Sequence, residues 1–191
     1  MDGIDWITVM GCGVPLAALA ILAAVQPAEG EAAGVVAASL AGALIGFAPF
    51  NKPVARVFLG DVGSLPIGLV LGYGLYRLAL AGHLAAALIL PLYYVWDSGS
   101  TLMRRLAKGE PVWQAHRSHI YQRATDAGWS VMAVVAQILV LEIALALLAF
   151  VSAWQDSMLL SAIALVVAAG LVGIASKRLL AGPPAAREAP H

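Results

Sequence analysis

The stretch Asn51-Lys-Pro-Val-Ala-Arg-Val-Phe-Leu-Gly-Asp-Val-Gly-Ser64 lies between two long apolar runs and holds the densest set of polar residues in the chain. Gly60 and Gly63 flank Asp61, and glycine permits left-handed backbone angles and close approach of a ligand. A carboxylate in a glycine-rich turn with basic side chains nearby suits a metal held against a phosphate, because Mg2+ takes one or two protein carboxylates and completes its shell with phosphate oxygens and water. From residue types alone, a solvated turn between two membrane spans explains the stretch equally well.

The composition places the chain in the membrane class. Of its 191 residues, 61% are hydrophobic and 12% are charged, whereas soluble domains contain about 25% charged residues. The mean hydropathy is +0.87. A formal net charge of +0 gives no basic field for nucleic acid, and the single cysteine excludes an intrachain disulfide.

The apolar runs predict an all-α polytopic membrane bundle of about six transmembrane helices, since a spanning helix needs about 20 mostly apolar residues. The predicted spans cover residues 7–26, 32–50, 65–81, 83–100, 129–153 and 157–176. The transmembrane domain is therefore expected to occupy residues 1–178. The Pro- and Ala-rich residues 179–191 are expected to form a disordered cytoplasmic tail.

The distribution of Lys and Arg predicts the orientation of the bundle. Both polar loops and the segment after the last span carry basic residues, while the opposite loops around Glu29, Gly82 and Gln155 carry none. Cytoplasmic loops are the ones enriched in Lys and Arg. Both polar loops and both termini are therefore expected on the cytoplasmic side, where they would form a composite catalytic site.

Two ionisable residues fall inside predicted spans, where charge is costly and indicates function by default. Asp97 lies near the cytoplasmic end of the fourth span, where it orients a basic group or faces the site, unless its role is structural. Arg77 lies toward the outer end of the third span, where its long side chain can reach the headgroups. We therefore interpret Arg77 as structural and leave both interpretations of Asp97 open.

The second polar loop contains His116-Arg-Ser-His-Ile-Tyr-Gln-Arg123. Two histidines three residues apart would share a helix face, and with Arg117 and Arg123 they make a phosphate-binding cluster. A zinc site lacks a cysteine or acidic partner to complete a tetrahedral set. A solvated interfacial loop, with aromatic rings at headgroup level, is the alternative.

Three blocks give the chain a resemblance to the polyprenyl-phosphate N-acetylhexosamine-1-phosphate transferases. That family includes phospho-N-acetylmuramoyl-pentapeptide transferases and the enzymes that start O-antigen chains. Residues 1–5 resemble the end of its Asn-x-x-Asp-Gly-x-Asp-Gly block, and residues 51–64 its Asn…Ala-x-x-Phe-Met-Gly-Asp-x-Gly-Ser block. Residues 119–122 stand where the family has His-x-His-His.

The resemblance extends over the chain but covers only the C-terminal part of the family, whose Asp-Asp block lies upstream. Trp6 replaces the second glycine of the first block, and Tyr121 and Gln122 replace the last two histidines. The variant His-Arg-Ser-His-x-Tyr-Gln-Arg is similar to transferases for modified sugars in lipopolysaccharide synthesis. The span after the histidine loop is more like the O-antigen branch.

The resemblance implies a phosphosugar transfer in which a polyprenyl (undecaprenyl) phosphate attacks the β-phosphorus of a UDP-N-acetylhexosamine and UMP leaves. It implies Mg2+, with Mn2+ as an alternative, held by Asp61. The implied catalytic residues are Asp61, His119 and Asp2. Asp2 and Asp5 are implied to contact the uridine, and Phe58 to stack on the uracil. His119, with Arg117 and Arg123, is implied to bind phosphate, while Asn51 would orient the loop or contact the substrate. The remaining implied substrate-binding residues are Gly60, Ser64 and His116.

The implied setting is the bacterial inner membrane with the active site facing the cytoplasm. The implied partners are the nucleotide sugar, the polyprenyl phosphate, membrane lipids and either a second copy or a separate N-terminal half, without nucleic acid. An inactive membrane fragment, or one half of a split transferase lacking the Asp-Asp motif, is the alternative. A transporter fits poorly, because its polar residues should lie near the bilayer midplane.

Overall fold

The computed structural model describes residues 3–25, 31–111, 113–114, 116–155 and 157–184, and helices and turns account for all secondary structure in these ranges. The all-α membrane bundle expected from the sequence is confirmed. The helices are α1 Ile7–Val25, α2 Glu31–Asn51, α3 Gly60–Leu80, α4 Leu84–Ile89, α5 Leu92–Ala107, α6 Ile120–Asp126, α7 Val131–Trp154 and α8 Met158–Leu180.

Five helices are long and apolar enough to cross a membrane: α1, α2 from Ala32, α3, α7 and α8. Their outer surfaces are apolar, with Ile45, Leu69 and Val166 each more than 70% exposed. Such surfaces suit lipid, which is as apolar as these side chains. Helix α1 packs against α2, α3 and α7, and helix α7 packs against α1, α4 and α8, so these two helices connect the parts of the core.

The fourth predicted span, residues 83–100, is wrong as a single helix. Helix α4 ends at Ile89, and α5 begins at Leu92 after Pro91. Proline lacks the backbone N–H that a continuing helix needs, and its ring collides with the preceding turn. Helix α5 then continues to Ala107, so its last turns occupy part of the predicted second polar loop.

Two helix boundaries also differ from the predicted ones, the start of α3 and the end of α8. Helix α3 begins at Gly60 rather than at residue 65, so Asp61 and Ser64 lie on a helix rather than in a loop. Helix α8 continues to Leu180, and Leu179 is 1% exposed. Residues 179 and 180 therefore belong to the bundle instead of the predicted tail, of which residues 185–191 lie outside the described ranges.

Helix α5 has an inverted arrangement of polar and apolar side chains. Its buried positions follow at four-residue intervals, which places them on one helix face, and they are Tyr93, Asp97, Thr101 and Arg105. Its opposite face exposes large apolar side chains, among them Val95, Leu102, Met103 and Leu106. A helix that turns polar groups inward and apolar groups outward fits a lipid environment with a polar site inside the protein.

The loops gather at two opposite ends of the bundle. At one end, the turn before α1 contacts the end of α2, and the α5–α6 loop contacts α5. At the other end, one cavity is lined by residues such as Leu22, Ala33 and His83, and a second by Gly82, Ser152 and Met158. Gly3 packs on Gln122 and Gly182 packs on Ala127, so both polar loops, the first residues and the end of α8 share one end, as the sequence predicted. Glu29 lies outside the described residues.

Candidate functional site

Asn51 joins the first residues of the chain to the loop after α2. It is fully buried at the end of α2. Its Oδ1 accepts a hydrogen bond from the backbone N–H of Trp6 at 2.8 Å, and its Nδ2 donates to the carbonyl of Val57 at 3.0 Å. Both ends of the amide are thus used inside the protein, and in this arrangement Asn51 orients the loop.

Asp5 makes a second contact with the same loop. Its Oδ2 accepts a hydrogen bond from the backbone N–H of Ala55 at 3.2 Å. The neighbouring Trp6 has φ 64°, in the left-handed region, and its indole Nε1 donates to the Ala48 carbonyl at 2.7 Å. The first and second sequence blocks are therefore held together by side-chain to backbone hydrogen bonds. Asp2, predicted to act with Asp5, lies outside the described residues.

The second block ends in the first turns of α3. Gly60 has φ +58°, a conformation that favours glycine, and it turns the chain into the helix. Asp61 follows in the first turn and is exposed, where the positive end of the helix dipole favours a carboxylate. Phe58 is 59% exposed, and Ser64 is half-buried.

Asp97 connects α5 to the start of α6 and is fully buried. Its Oδ1 accepts from the backbone N–H of Ile120 at 2.7 Å, and its Oδ2 lies 3.4 Å from Nδ1 of His119. The His119 ring stacks on Tyr121, with ring centroids 5.4 Å apart and planes 8° apart. The Asp97 carboxylate is therefore the nearest charged partner of His119 that the structure provides.

The two histidines of the loop are neighbours, although they do not share a helix face as predicted. His116 lies in the extended loop before α6, while His119 is the residue that precedes its first turn. Their ring centroids are 5.0 Å apart, and the Ser118 hydroxyl lies 3.0 Å from Nδ1 of His116. Partial burial first, and then the charges of Arg105 and His119, lower the pKa of His116 from 6.5.

A basic groove, defined by Arg104, Arg105, Lys108 and Arg123 with Thr101, Glu110 and Ser118, opens beside this loop and encloses ≈ 220 Å³. Arg105 is 6% exposed and anchors the loop, donating to Glu110 Oε2 at 3.1 Å and to the Pro111 carbonyl at 2.7 Å. The exposed Arg123 lines the groove as a predicted phosphate contact, whereas Arg117 is exposed in the loop. Sequence reasoning missed Arg104, Arg105 and Lys108 as site residues, and the available signal was that they lie together within one turn at the end of α5.

The histidine block also contacts the first block. A Cβ added at Gly3 would collide with the Gln122 amide and the Tyr121 hydroxyl, so the backbone there packs directly on α6. The Tyr94 hydroxyl donates to the Ile7 carbonyl at 3.1 Å, which ties α5 to the start of α1. Among the described residues, however, no hydrogen bond or ion pair joins Asp61 to His119.

Mg2+ fits this site only in part. Within the described ranges, no group of three or more His, Cys, Asp or Glu side chains could hold a metal ion. Asp61 offers one exposed carboxylate beside open space at Gly60. One carboxylate is sufficient where phosphates and water supply the other oxygens, so Asp61 suits an ion that arrives with a diphosphate.

Comparisons with known proteins identify the family to which the chain is related. The model of the family described as Glycosyl transferase family 4 matches residues 1–96. A protein named phospho-N-acetylmuramoyl-pentapeptide-transferase from Streptococcus pneumoniae (strain Hungary19A-6) is 35% identical over 104 residues, covering 54% of this chain and 30% of that protein. A protein of the same name from Streptococcus gordonii is 34% identical over 104 residues, which again cover 54% of this chain and 30% of that protein.

The chain thus spans about 30% of the length of the curated relatives it matches. No solved structure matches it. The family match covers half of the chain and includes both Asp5 and the whole of the block from Asn51 to Ser64. The chain therefore belongs to glycosyl transferase family 4.

Proposed function

We propose that this chain forms part of a transferase that moves a sugar-1-phosphate from a UDP-N-acetylhexosamine to a polyprenyl phosphate and releases UMP. The observation that carries the proposal is the packing of all three motif blocks at one end of the bundle. Asn51 and Asp5 bind the first block to the second, and Gly3 packs on the third at Gln122. Family membership and the names of the relatives support the same reaction class.

The transfer requires positioning and neutralisation of phosphate charge more than covalent chemistry by the protein. A phosphate oxygen of the lipid attacks the β-phosphorus, the bond to the UMP oxygen breaks, and the electron pair leaves with UMP. Arg123, Arg104 and Lys108 in the basic groove are suited to bind phosphate oxygens through charge-assisted hydrogen bonds. Bound Mg2+ would neutralise charge on the diphosphate, with Asp61 as its protein ligand.

The arrangement of side chains on helix α5 supports the proposal that the acceptor substrate is a lipid. Its outer face exposes Leu102, Met103 and Leu106 at the level of the basic groove, and its inner face carries Arg105 toward the loop. A polyprenyl chain could lie along the apolar face in the bilayer while its phosphate reaches the groove from the side. This arrangement favours an active site at the headgroup level of the cytoplasmic leaflet, at the start of a cell-envelope polysaccharide.

The proposal is tested by Mg2+-dependent release of UMP from a panel of UDP-N-acetylhexosamines, in membranes that contain undecaprenyl phosphate. Because the chain spans about 30% of its relatives, the assay is run on the chain alone and with the remaining part of the family sequence co-expressed. We expect turnover with the co-expressed part and only background release from the chain alone.

Asp61→Asn in the active preparation should abolish turnover with the fold intact, because the amide has a similar shape but lacks the charge that holds Mg2+. His119→Ala should be severe as well. Arg77→Lys is the matched control and should have a mild effect, since Arg77 lies near the opposite end of the bundle. Full activity of Asp61→Asn, or no UMP release from any donor in the combined preparation, would overturn the proposal.

A further inference from the structure

The two carboxylate oxygens of Asp97 have different partners. One, Oδ1, accepts from the backbone N–H of Ile120 at 2.7 Å and lies 3.5 Å from the Thr101 hydroxyl, so it holds the first turn of α6. The other, Oδ2, is buried and has no hydrogen-bond partner of good geometry among the described residues, but it lies 3.4 Å from Nδ1 of His119. Burying a carboxylate is costly unless its oxygens are partnered, and His119 is the partner available to Oδ2.

The ring of His119 is held from two directions. Tyr121 is 1% exposed and stacks parallel to the imidazole, which fixes the plane of the ring. Nδ1 is buried against Asp97, yet the side chain keeps 19% of its surface exposed. The exposed part of the ring therefore excludes Nδ1 and lies toward the edge that carries Nε2.

We propose that Asp97 is the positioning residue of His119. It fixes the imidazole with a proton on Nδ1 and leaves Nε2 as the ring nitrogen that faces the substrate. An ionised carboxylate only accepts hydrogen bonds. The partner of one ring nitrogen sets which nitrogen carries the proton. The assignment of Nε2 to a substrate phosphate rests on the proposed function, whereas the position of the proton does not depend on it.

The position of the proton is measured by 15N NMR on the chain labelled at histidine and reconstituted in lipid nanodiscs. The sequence has 4 histidines, so the His119 signals are assigned by their loss in His119→Gln. We expect the Nδ1 of His119 to be protonated in the native chain. In Asp97→Asn the amide oxygen can still accept from Ile120, and the NH2 group then faces Nδ1, which must become an acceptor. The proton should therefore move to Nε2.

Tyr121→Phe is the matched control, because it retains the stacked ring and should leave the proton on Nδ1. A native His119 with its neutral-state proton on Nε2 would overturn the proposal. An Asp97→Asn variant that folds normally, as judged by thermal unfolding, but keeps the native His119 signals would overturn it too.

A second readout uses the UMP-release assay. Asp97→Asn should lower kcat by about 10- to 100-fold, by analogy with the loss of the carboxylate that orients a metal-bound histidine, with little change in KM. An unchanged kcat would contradict the positioning role. Absence of UMP release in the native preparation would instead count against the proposed function, while the NMR result decides the position of the proton by itself.

Discussion

At the scale of single residues, His116 makes the loop sensitive to pH. Partial burial is the main cause of its lowered pKa, followed by the positive charges of Arg105 and His119, while Glu110 and Asp97 act in the opposite direction. The unfolded chain therefore takes up this proton at a higher pH than the folded chain. As the pH falls through the ordinary histidine pKa of 6.5 and on through the folded pKa, this residue should progressively destabilise the fold.

The prediction is checked by an NMR titration of His116 and by unfolding measurements from about pH 5 to pH 8, the range in which histidine titrates. The midpoint of His116 should lie below 6.5. His116→Gln should flatten the dependence of unfolding on pH in this range. A midpoint at or above the ordinary value would contradict the role assigned to burial and Arg105.

The sequence indicates which residues belong to the candidate site, but it does not show which atoms of those residues make which contacts. Asn51, Asp97 and His119 were all singled out by type and position, yet only the fold shows that Asn51 is buried with both ends of its amide bonded. Trp6 is the clearest case. It stands where the family has glycine, and its φ of 64° retains a conformation that glycine favours. Hydrogen bonds to Asn51 and Ala48 hold it there, and neither contact has a local sequence signal.

At the scale of helices, the contact between α1 and α5 depends on the absence of one side chain. A Cβ at Gly11 would overlap the Tyr94 hydroxyl, whereas nothing lies within 4 Å of a Cβ at Gly13 on the same helix. Gly11→Ala should destabilise the bundle by about 1–3 kcal/mol, as overpacking does. Gly13→Ala should be neutral or stabilising by up to ~1 kcal/mol through helix propensity.

Thermal unfolding followed by tryptophan fluorescence compares the two variants directly. Equal losses of Tm in Gly11→Ala and Gly13→Ala would show that the Tyr94 contact does not limit the packing of these helices.

The break between α4 and α5 gives a second prediction at this scale. Pro91 removes a helical N–H at the junction, so Pro91→Ala should favour a straighter connection. Spin labels at the exposed Leu88 and Leu102 should then move apart, as measured by double electron–electron resonance in a Cys12→Ala background.

Pro66 is the control, because α3 continues through it without a break. Pro66→Ala should leave the distance between the labels unchanged. An unchanged distance in Pro91→Ala would mean that the packing of α4 against α7 and of α5 against α8, rather than the proline, sets the direction of α5.

The sequence predicted the long spans well and the α4–α5 region poorly, for a physical reason. Runs of apolar residues that face lipid and core alike, as in α7, identify spans by length alone. In α5 the residues Tyr93, Asp97, Thr101 and Arg105 are spaced for one buried face. That spacing was present in the sequence, but membrane helices can tolerate proline, so the pattern before and after Pro91 did not distinguish one helix from two.

At the scale of the whole molecule, the contacts between loops agree with the asymmetry of Lys and Arg. The basic residues of both polar loops and of the end of α8 share one end of the bundle with Trp6, whereas Arg77 lies toward the other. Positively charged loops remain in the cytoplasm. We therefore expect Gln114, exposed in the second polar loop, to face the cytoplasm and Met158, 92% exposed at the start of α8, to face the opposite side.

The expectation is measured with single cysteines at these two positions in a Cys12→Ala background, using a maleimide that does not cross membranes. Intact spheroplasts should label Met158→Cys but not Gln114→Cys, and permeabilised cells should label both. Because both sites are exposed, the difference reports membrane side and not burial. Labelling of Gln114→Cys in intact cells would place the basic groove outside the cytoplasm. That result would contradict the proposed reaction as well, since the nucleotide sugar is expected on the cytoplasmic side.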